Sequence, residues 1–334
     1  MVASSQAPPG EQTQNQQTGT TLESSRRGRL CKPLYPFTSH WLDIDGVRMH
    51  YLDEGPREAP PIVMCHGNPT WSFYYRTLIP ALSRSYRVIV PDHIGCGLSD
   101  KPQAYSYTLE QHIRNLAALI AHLGLQHIVM MFHDWGGAIG MGYATRHPET
   151  VERFVVFNTS AFFLPAIPGV LKLARSAVLG EVLLRGLNAF AAFATWRWVG
   201  CWRPMSRAAR AGYLAPYDSW QNRIAIYRFV QDIPVTADHP TRATVDAIDA
   251  KLPLFRDRPM LIIWGARDFV FTVKGFLAGW RNRFPNAEIH ILHDAGHYVV
   301  EDAHERILPL VSEFLGKTEL SAANDQRSAR RSKQ

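Results

Sequence analysis

The strongest constraint on the fold is an alternation of short apolar runs with helical segments from residue 35 onward. Several of these runs contain no polar residue, as expected of strands that are covered on both faces. Strands and helices in alternation predict a mostly parallel sheet with helices on both faces and right-handed crossovers. An opening hairpin around Asp45-Gly46 adds an antiparallel pair. The eight predicted strands are 40–44, 47–52, 61–65, 87–91, 128–132, 154–157, 260–264 and 288–292.

The helical segments divide the chain into a core and an insertion. Helices are predicted over 73–82, 109–123, 138–146, 273–284 and 304–315, between or after the strands. Residues 160–240 have helical periodicity and no convincing strand pattern. A helical insertion between two strands of a parallel sheet would cover the carboxyl edge, where open α/β sheets place their ligands. The sequence therefore predicts a core of residues 35–159 and 241–316 with a helical cap over 160–240.

The ends of the chain have a different composition. Residues 1–34 and the basic segment 317–334 are polar and contain few large apolar side chains, so both are predicted to be disordered tails. These tails carry most of the formal net charge of +7, and the nearly neutral body does not predict nucleic-acid binding. No apolar stretch is long enough for a transmembrane helix or a signal peptide, so a cytoplasmic location is expected. The four cysteines lack the spacing of a zinc site, and no metal is predicted.

A carboxylate lies between an apolar strand and a glycine pair in residues 132–137, Phe-His-Asp-Trp-Gly-Gly. Burial of an unpaired charge is costly, which predicts a function for Asp134. This strand-turn-helix pattern resembles the nucleophile elbow of the α/β-hydrolase fold, in which the nucleophile lies on a sharp turn above the sheet. The elbow normally has a small residue two positions before the nucleophile, whereas this chain has Phe132. An aspartate nucleophile can attack a saturated carbon and form an alkyl ester that water later hydrolyses.

Hydrolysis of such an ester requires a base and a group that orients it. His297, in His-Asp-Ala-Gly-His, follows the last predicted strand, where α/β hydrolases carry their catalytic histidine. Asp268 follows the penultimate strand and is predicted to hold the imidazole and stabilise its charged form. A second known position for this acid, after the sixth strand, is occupied by Asn158. The remaining histidines near strand ends are expected to be structural; they are His66, His93, His133 and His293.

Two further residues are predicted to stabilise charge beside Asp134. Asn68 follows the strand 61–65 in His-Gly-Asn-Pro, and Trp135 follows the nucleophile. Their backbone N–H groups are expected to form an oxyanion hole. The side-chain amide of Asn68 and the indole N–H of Trp135 are neutral donors, which would hold a departing halide without forming a permanent ion pair.

Three motifs together resemble the haloalkane dehalogenase family. They are His66-Gly-Asn-Pro-Thr-Trp-Ser, Pro91-Asp-His-Ile-Gly-Cys-Gly-Leu-Ser-Asp-Lys-Pro and His133-Asp-Trp-Gly-Gly, and the likeness extends from about residue 36 to residue 315. The acid at Asp268 with the Asn68 and Trp135 pair is similar to the Asp-His-Asp plus Asn-Trp subfamily. This resemblance implies hydrolysis of carbon–halogen bonds in small apolar haloalkanes, with water as co-substrate and no cofactor.

Other readings remain open at the level of sequence. The β-lactone decarboxylases of bacterial long-chain olefin synthesis resemble these dehalogenases and share the same five site residues, so the pattern does not separate the two reactions. Epoxide hydrolases share the aspartate nucleophile, but they usually have an aromatic residue at the Asn68 position and two cap tyrosines. Candidates for these are Tyr213, Tyr217 and Tyr227. A binding module on a hydrolase fold would be expected to lack a member of the triad. Substrate chain length and oligomeric state are not predicted.

Overall fold

The computed structural model describes residues 26–164 and 168–331. In this part of the chain eight strands form one sheet in the order β1-β2-β4-β3-β5-β6-β7-β8. Strands β3 to β8 pair in parallel, whereas β1 and β2 are antiparallel at one edge. The strands are β1 (Ser39–Ile44), β2 (Val47–Glu54), β3 (Pro61–Cys65), β4 (Arg87–Pro91), β5 (Ile128–Asp134), β6 (Val151–Thr159), β7 (Met260–Gly265) and β8 (Glu288–Leu292).

Helices cover both faces of this sheet and form the cap. The α-helices are α1 (Arg26–Cys31), α2 (Ile79–Leu82), α3 (Leu109–His122), α4 (Trp135–Ala144), α5 (Gly169–Ala174), α6 (Ala177–Glu181), α7 (Ala189–Ala194), α8 (Arg207–Leu214), α9 (Ile224–Gln231), α10 (Pro240–Lys251), α11 (Ala278–Arg283) and α12 (Val299–Arg331). Short 3-10 or π turns lie at Lys32–Leu34, Ser72–Tyr75, Pro148–Thr150, Val182–Gly186, Gln221–Arg223, Leu252–Phe255 and Val273–Leu277. No helix among the described residues is long and apolar enough to cross a bilayer.

The uninterrupted apolar strands arise because both faces of the sheet are buried. Every residue of β5 is buried. Alternate side chains of β5 enter different cores: Val129 and Met131 pack with the cluster on one face, and Met130 and Phe132 with the cluster on the other. This alternation follows from the two-residue period of a strand. The central strands therefore have no solvent-exposed face that would favour polar residues.

The ends of several elements differ from the sequence-based prediction. Strand β6 begins at Val151 and is longer than the predicted 154–157. The helix predicted over 73–82 is instead a 3-10 turn followed by the short α2. The helix predicted over 273–284 begins with a π turn, and α10 lies in a segment for which no helix was predicted. Pro240 at the start of α10 fits the first turn of a helix, where a missing N–H costs little.

The predicted tails also differ from the structure. Residues 26–31 form α1, which contacts α8 of the cap, and Cys31 is fully buried. Tertiary contact with the cap supplies the apolar burial that the local composition lacks. At the other end α12 is kinked at Ala303 and continues to Arg331, through a segment rich in good helix formers. The predicted disorder of residues 1–25 and 332–334 lies outside the described residues.

Candidate active site

Asp134 lies at the junction of β5 and α4 in a backbone conformation that few residues adopt. Its φ of 53° and ψ of −128° place it on a sharp turn, and strain of this kind concentrates at functional sites. The turn also requires a close approach of the neighbouring loop. A Cβ atom at Gly67 would collide with the carboxylate of Asp134, and one at Gly136 would collide with the Cys65 carbonyl. The elbow predicted from the sequence is therefore present, and glycines permit it.

Phe132, the unusual large residue of the elbow, is accommodated by a glycine in the following helix. Its side chain is fully buried against Phe154 and Trp280, with ring centroids 6.2 and 6.4 Å away. A Cβ atom at Gly140 would lie 2.9 Å from Cδ1 of Phe132. In the usual elbow a small residue at the position of Phe132 leaves this space free. Here the absence of a side chain at Gly140 makes room for the ring of Phe132.

The carboxylate of Asp134 is buried and hydrogen-bonded. Oδ1 accepts a hydrogen bond of 2.7 Å from the backbone N–H of Asn68, and the neighbouring backbone N–H of Trp135 also favours the charged carboxylate. Burial raises the pKa of Asp134 above its ordinary value, while His297 and these two N–H donors oppose the rise. The two backbone groups predicted to form an oxyanion hole therefore converge on the carboxylate itself. The carboxylate of Asp134 therefore has a fixed orientation in the site.

His297 links Asp134 to the second acid. Its Nδ1 lies 2.8 Å from Oδ2 of Asp268, and its Nε2 lies 3.6 Å from Oδ2 of Asp134. Burial is the largest single influence and opposes protonation, but the charge and hydrogen bond of Asp268 together with the charge of Asp134 outweigh it, and the pKa of His297 is raised. Oδ1 of Asp268 accepts hydrogen bonds from the N–H groups of Val270 and Phe271. The three predicted triad residues thus form one chain of contacts.

Asn158 is a partner of this chain that the sequence analysis considered only as a replaced acid. Its side-chain amide donates to Oδ2 of Asp268 at 2.9 Å and to the Gly265 carbonyl at 3.0 Å, while its own oxygen accepts from the Gly265 N–H at 2.7 Å. Strands β6 and β7 are parallel neighbours, so residues at their carboxyl ends meet. That adjacency was the available signal, since Asn158 lies at the carboxyl end of β6 and Asp268 follows β7.

The side chains of Asn68 and Trp135 both line a cavity beside Asp134, but Asn68 also has a partner in the cap. Its amide nitrogen donates to the Ile226 carbonyl in α9 at 3.2 Å. The indole of Trp135 packs at 5.3 Å from the ring of Phe229 in the same helix. Helix α9 therefore fixes both side chains that were predicted to stabilise a leaving halide.

The cavity has a volume of about 620 Å³ and is lined by both the core and the cap. Its polar side chains come from the core segments, and each residue contributed by positions 161–234 is apolar. The polar or hydrogen-bonding lining residues are Asn68, Asp134, Trp135, Ser160, His297 and Tyr298. An apolar ligand in this space would have its reacting atoms directed toward the triad.

The other histidines near the site have structural contacts. Nδ1 of His66 donates to the Gly67 carbonyl, and its Nε2 accepts from the backbone N–H of His93. His133 donates from Nε2 to the carbonyl of His297 at 2.8 Å, which helps hold the catalytic loop. His293 is exposed, and its carbonyl accepts from Arg267. None of these contacts requires a catalytic task.

Known proteins similar to this chain carry two functional names. A family model described as alpha/beta hydrolase fold matches residues 60–303. A cis-3-alkyl-4-alkyloxetan-2-one decarboxylase from Shewanella oneidensis is 48% identical over 300 residues, which cover 88% of this chain and 93% of that protein. Haloalkane dehalogenase 2 from Mycobacterium tuberculosis is 35% identical over 289 residues, which cover 85% of this chain and 96% of that protein.

A solved structure gives the same architecture. The crystal structure of a loop variant of a haloalkane dehalogenase from Bradyrhizobium elkanii matches with a TM-score of 0.76 and 25% identity. The match covers 86% of this chain and 99% of that one. The predicted α/β-hydrolase fold and the resemblance to dehalogenases and β-lactone decarboxylases are confirmed, whereas the named reactions of the relatives differ.

Proposed function

The chain belongs to the alpha/beta hydrolase fold family, and we propose that its reaction is the decarboxylation of a cis-3-alkyl-4-alkyloxetan-2-one to an alkene. The observation that carries this proposal is the cavity of about 620 Å³, to which residues 161–234 of the cap contribute apolar residues alone. A volume in this range suits a ligand with two alkyl chains, whereas a short haloalkane would leave most of it unfilled. The 48% identity to the decarboxylase, against 35% to the dehalogenase, supports the same choice.

The first step uses the fixed carboxylate of Asp134. Its oxygen attacks C4 of the lactone from the side opposite the ring oxygen, the C4–O bond breaks, and the bonding pair remains on the departing carboxylate. The product is an alkyl ester of Asp134 with a free carboxylate on C3. Ring strain is released in this step. The new ester oxygen then lies anti to the C3 carboxylate.

The second step releases the alkene and restores the enzyme. The bond between C3 and the carboxylate carbon breaks, its electron pair forms the C3=C4 double bond, and the C4–O bond returns its pair to Asp134 as carbon dioxide leaves. Neither water nor a proton is consumed. Because attack and elimination are both anti, a cis lactone gives a cis alkene. A protonated His297, whose Nε2 is 3.6 Å from the carboxylate, would stabilise the returning charge.

The apolar cavity also favours this outcome over hydrolysis. Attack of water on the intermediate ester would give a β-hydroxy acid instead of an alkene. Exclusion of water by the lining residues of the cap disfavours that side reaction. The ratio of alkene to β-hydroxy acid is therefore a direct measure of which chemistry the site performs.

Dehalogenation is the second candidate. Asn68 and Trp135 lie beside Asp134 in the cavity, and neutral N–H donors are suited to a departing halide. In that reaction His297 activates the water that hydrolyses the alkyl ester. Epoxide hydrolysis has less support. The hydroxyl groups of Tyr213 and Tyr217 donate to Glu301 and to the Thr70 carbonyl, and neither tyrosine is among the cavity residues in the described chain.

A parallel assay separates the two candidates. The full chain is incubated with a cis-3,4-dialkyl β-lactone, with its trans isomer, and with 1-bromobutane and 1,2-dibromoethane. Alkene, carbon dioxide, β-hydroxy acid and halide are measured. We expect cis alkene and carbon dioxide in equal amounts from the cis lactone. Halide release without alkene would assign dehalogenation, and β-hydroxy acid as the main product would exclude decarboxylation. Asp134→Ala is the control for non-enzymatic loss of carbon dioxide.

A further inference from the structure

The cap exposes an unusual number of large apolar side chains. Nine of the fifteen exposed large hydrophobic residues among the described residues lie between positions 170 and 198, and each is between 46% and 78% exposed. We call this set the cap surface. Its members are Val170, Leu173, Val178, Leu179, Val182, Leu187, Phe193, Trp196 and Trp198. Large exposed apolar patches mark sites of interaction.

The helices that carry the cap surface form one continuous layer. Helix α5 contacts α6, α6 contacts the π turn Val182–Gly186, and that turn contacts α7. The rings of Phe193 and Trp196 lie 5.5 Å apart. The exposed side chains therefore belong to packed neighbouring elements.

The same segment carries a concentrated positive charge. Residues 168–212 contain seven Lys and Arg and a single acid, Glu181, which gives a net charge of +6. Glu181 is paired with Arg185 at 2.7 Å. Lys172, Arg197 and Arg207 are exposed, and the Arg197 guanidinium lies 4.1 Å from the centre of the Trp198 ring. Arg203 is paired with Asp294 of the core at 3.3 Å. The cap surface thus combines apolar and aromatic side chains with the neighbouring exposed cations Lys172, Arg197 and Arg207.

The active-site cavity reaches this surface. Val170, Leu173 and Phe193 belong to the cap surface and also line the cavity. Phe269, from the loop after β7, is likewise exposed and lines the cavity. A ligand therefore enters the cavity beside exposed apolar side chains and does not have to cross a polar rim there.

We propose that the cap surface docks on an anionic phospholipid bilayer, with the mouth of the cavity facing the lipid. Tryptophan and aliphatic side chains insert at the boundary between headgroups and acyl chains, while neighbouring Lys and Arg side chains bind anionic headgroups. Charge complementarity favours this occupant, because the exposed side chains of Lys172, Arg197 and Arg207 give the neighbourhood of the cap surface a positive charge that is suited to an anionic surface. The inference concerns delivery of an apolar ligand and holds for either reaction above.

Co-sedimentation with lipid vesicles tests the docking without any substrate. The full chain is mixed with vesicles of phosphatidylcholine alone and with vesicles containing roughly one-quarter phosphatidylglycerol. We expect stronger binding to the anionic vesicles and weaker binding as salt is raised. Val178→Ser combined with Leu187→Ser is expected to weaken binding about tenfold, because both side chains leave the acyl boundary. Lys172→Glu combined with Arg207→Glu is expected to remove the preference for anionic vesicles.

A matched control changes exposed apolar residues of the core. Trp41→Ser combined with Leu254→Ser removes side chains of similar exposure and is expected to leave vesicle binding unchanged. Circular dichroism checks that each variant is folded. Wild-type protein that stays in the supernatant overturns the proposal. If the variant with Ser at positions 178 and 187 binds vesicles as well as the wild type, binding lies elsewhere, on the basic termini, and the proposal is wrong. If the wild type is a dimer and the same variant is a monomer, the cap surface binds a second copy of the chain and the proposal is also wrong. Because no turnover is measured, these outcomes are independent of the proposed reaction.

Discussion

The side-chain amide of Asn68 donates a hydrogen bond of 3.2 Å to the carbonyl of Ile226, so a residue that contacts Asp134 is tied to the cap. The other end of this amide, Oδ1, is buried and has no hydrogen-bond partner among the described residues. A buried unsatisfied polar atom in an active site marks a place for a ligand or a water molecule. Asn68 is therefore expected to have two tasks: one N–H of its amide holds α9 over the site, and the second N–H is the donor for a leaving group, since the oxygen only accepts hydrogen bonds.

Substitution of Asn68 is expected to affect the two candidate reactions differently. A free halide ion must be captured as it leaves, whereas the carboxylate released from a lactone stays attached to the substrate and strain assists its departure. Asn68→Ala is therefore expected to lower halide release from 1-bromobutane by roughly 10²-fold. Alkene release from the cis lactone is expected to fall by less than about tenfold. Steady-state rates with both substrates measure this difference.

The lost contact with the cap supplies a control for the same variant. Removal of the donor to the Ile226 carbonyl is expected to lower the free energy of unfolding by about 1 kcal/mol, which denaturant titration measures. Equal losses of both activities, together with a larger drop in stability, would indicate that Asn68 acts only by holding the cap.

Replacement of His297 distinguishes a reaction that needs water from one that does not. The ring of Phe271 stacks on His297 with a centroid distance of 5.6 Å, and a phenylalanine at 297 can preserve this packing. With 1,2-dibromoethane, His297→Phe is expected to alkylate Asp134 and stop, which leaves a mass adduct on a peptide that contains residue 134. With the cis lactone the same variant is expected to continue releasing alkene, because the fragmentation uses no water. Intact-protein mass spectrometry and gas chromatography measure the two results, and a lactone adduct that persists without any release of alkene would contradict the expectation that fragmentation proceeds without His297.

The charge of Asp268 is expected to control the titration of His297. The pKa of His297 is raised although burial opposes it, because the Asp268 carboxylate and, to a smaller extent, the Asp134 carboxylate stabilise the imidazolium. The imidazole acts as a base only when neutral, so ester hydrolysis is expected to rise with pH through this raised pKa. Asp268→Asn removes the negative charge, so the pKa of His297 is expected to fall. The acid limb of the pH profile for ester hydrolysis is expected to move to lower pH with it. NMR titration of the imidazole measures the shift directly, and a pKa that stays in place would assign its rise to another group.

The sequence located the strands well, and it predicted the candidate site residues from the ends of those strands, because both inferences depend on local patterns. Runs such as Ile128–Asp134 are apolar throughout since both faces are covered, and the residues that end β3, β5, β7 and β8 meet at one edge in a parallel sheet. Asp134, Asp268 and His297 could therefore be placed from their position after strands. The role assigned to each remains a prediction until it is tested by substitution.

Contacts between distant elements were not accessible from the sequence. The hydrogen bond from Asn68 to Ile226 spans 158 positions and depends on how the cap lies on the core. The burial of Cys31 depends likewise on the contact of α1 with α8, which a polar local composition does not indicate. Substrate choice was also left open, because it is decided by cavity shape while the five shared site residues are the same for both reactions.

Gly140 is expected to be essential to an elbow that contains Phe132. Alanine normally stabilises a helix interior by about 1 kcal/mol relative to glycine. At position 140 its Cβ would lie 2.9 Å from Cδ1 of Phe132 and 3.3 Å from the terminal methyl of Met130, so Gly140→Ala is expected to destabilise the protein by about 1–3 kcal/mol.

Gly316→Ala in α12 is the matched control, because a Cβ there meets no atom within 4 Å and the change is expected to be neutral or stabilising. In a Phe132→Ala background the cost of Gly140→Ala is expected to fall below about 1 kcal/mol, since the obstructing ring is gone. Thermal and denaturant unfolding of the four variants measures the coupling, and an undiminished cost in the double variant would show that Gly140 is required for a reason other than Phe132.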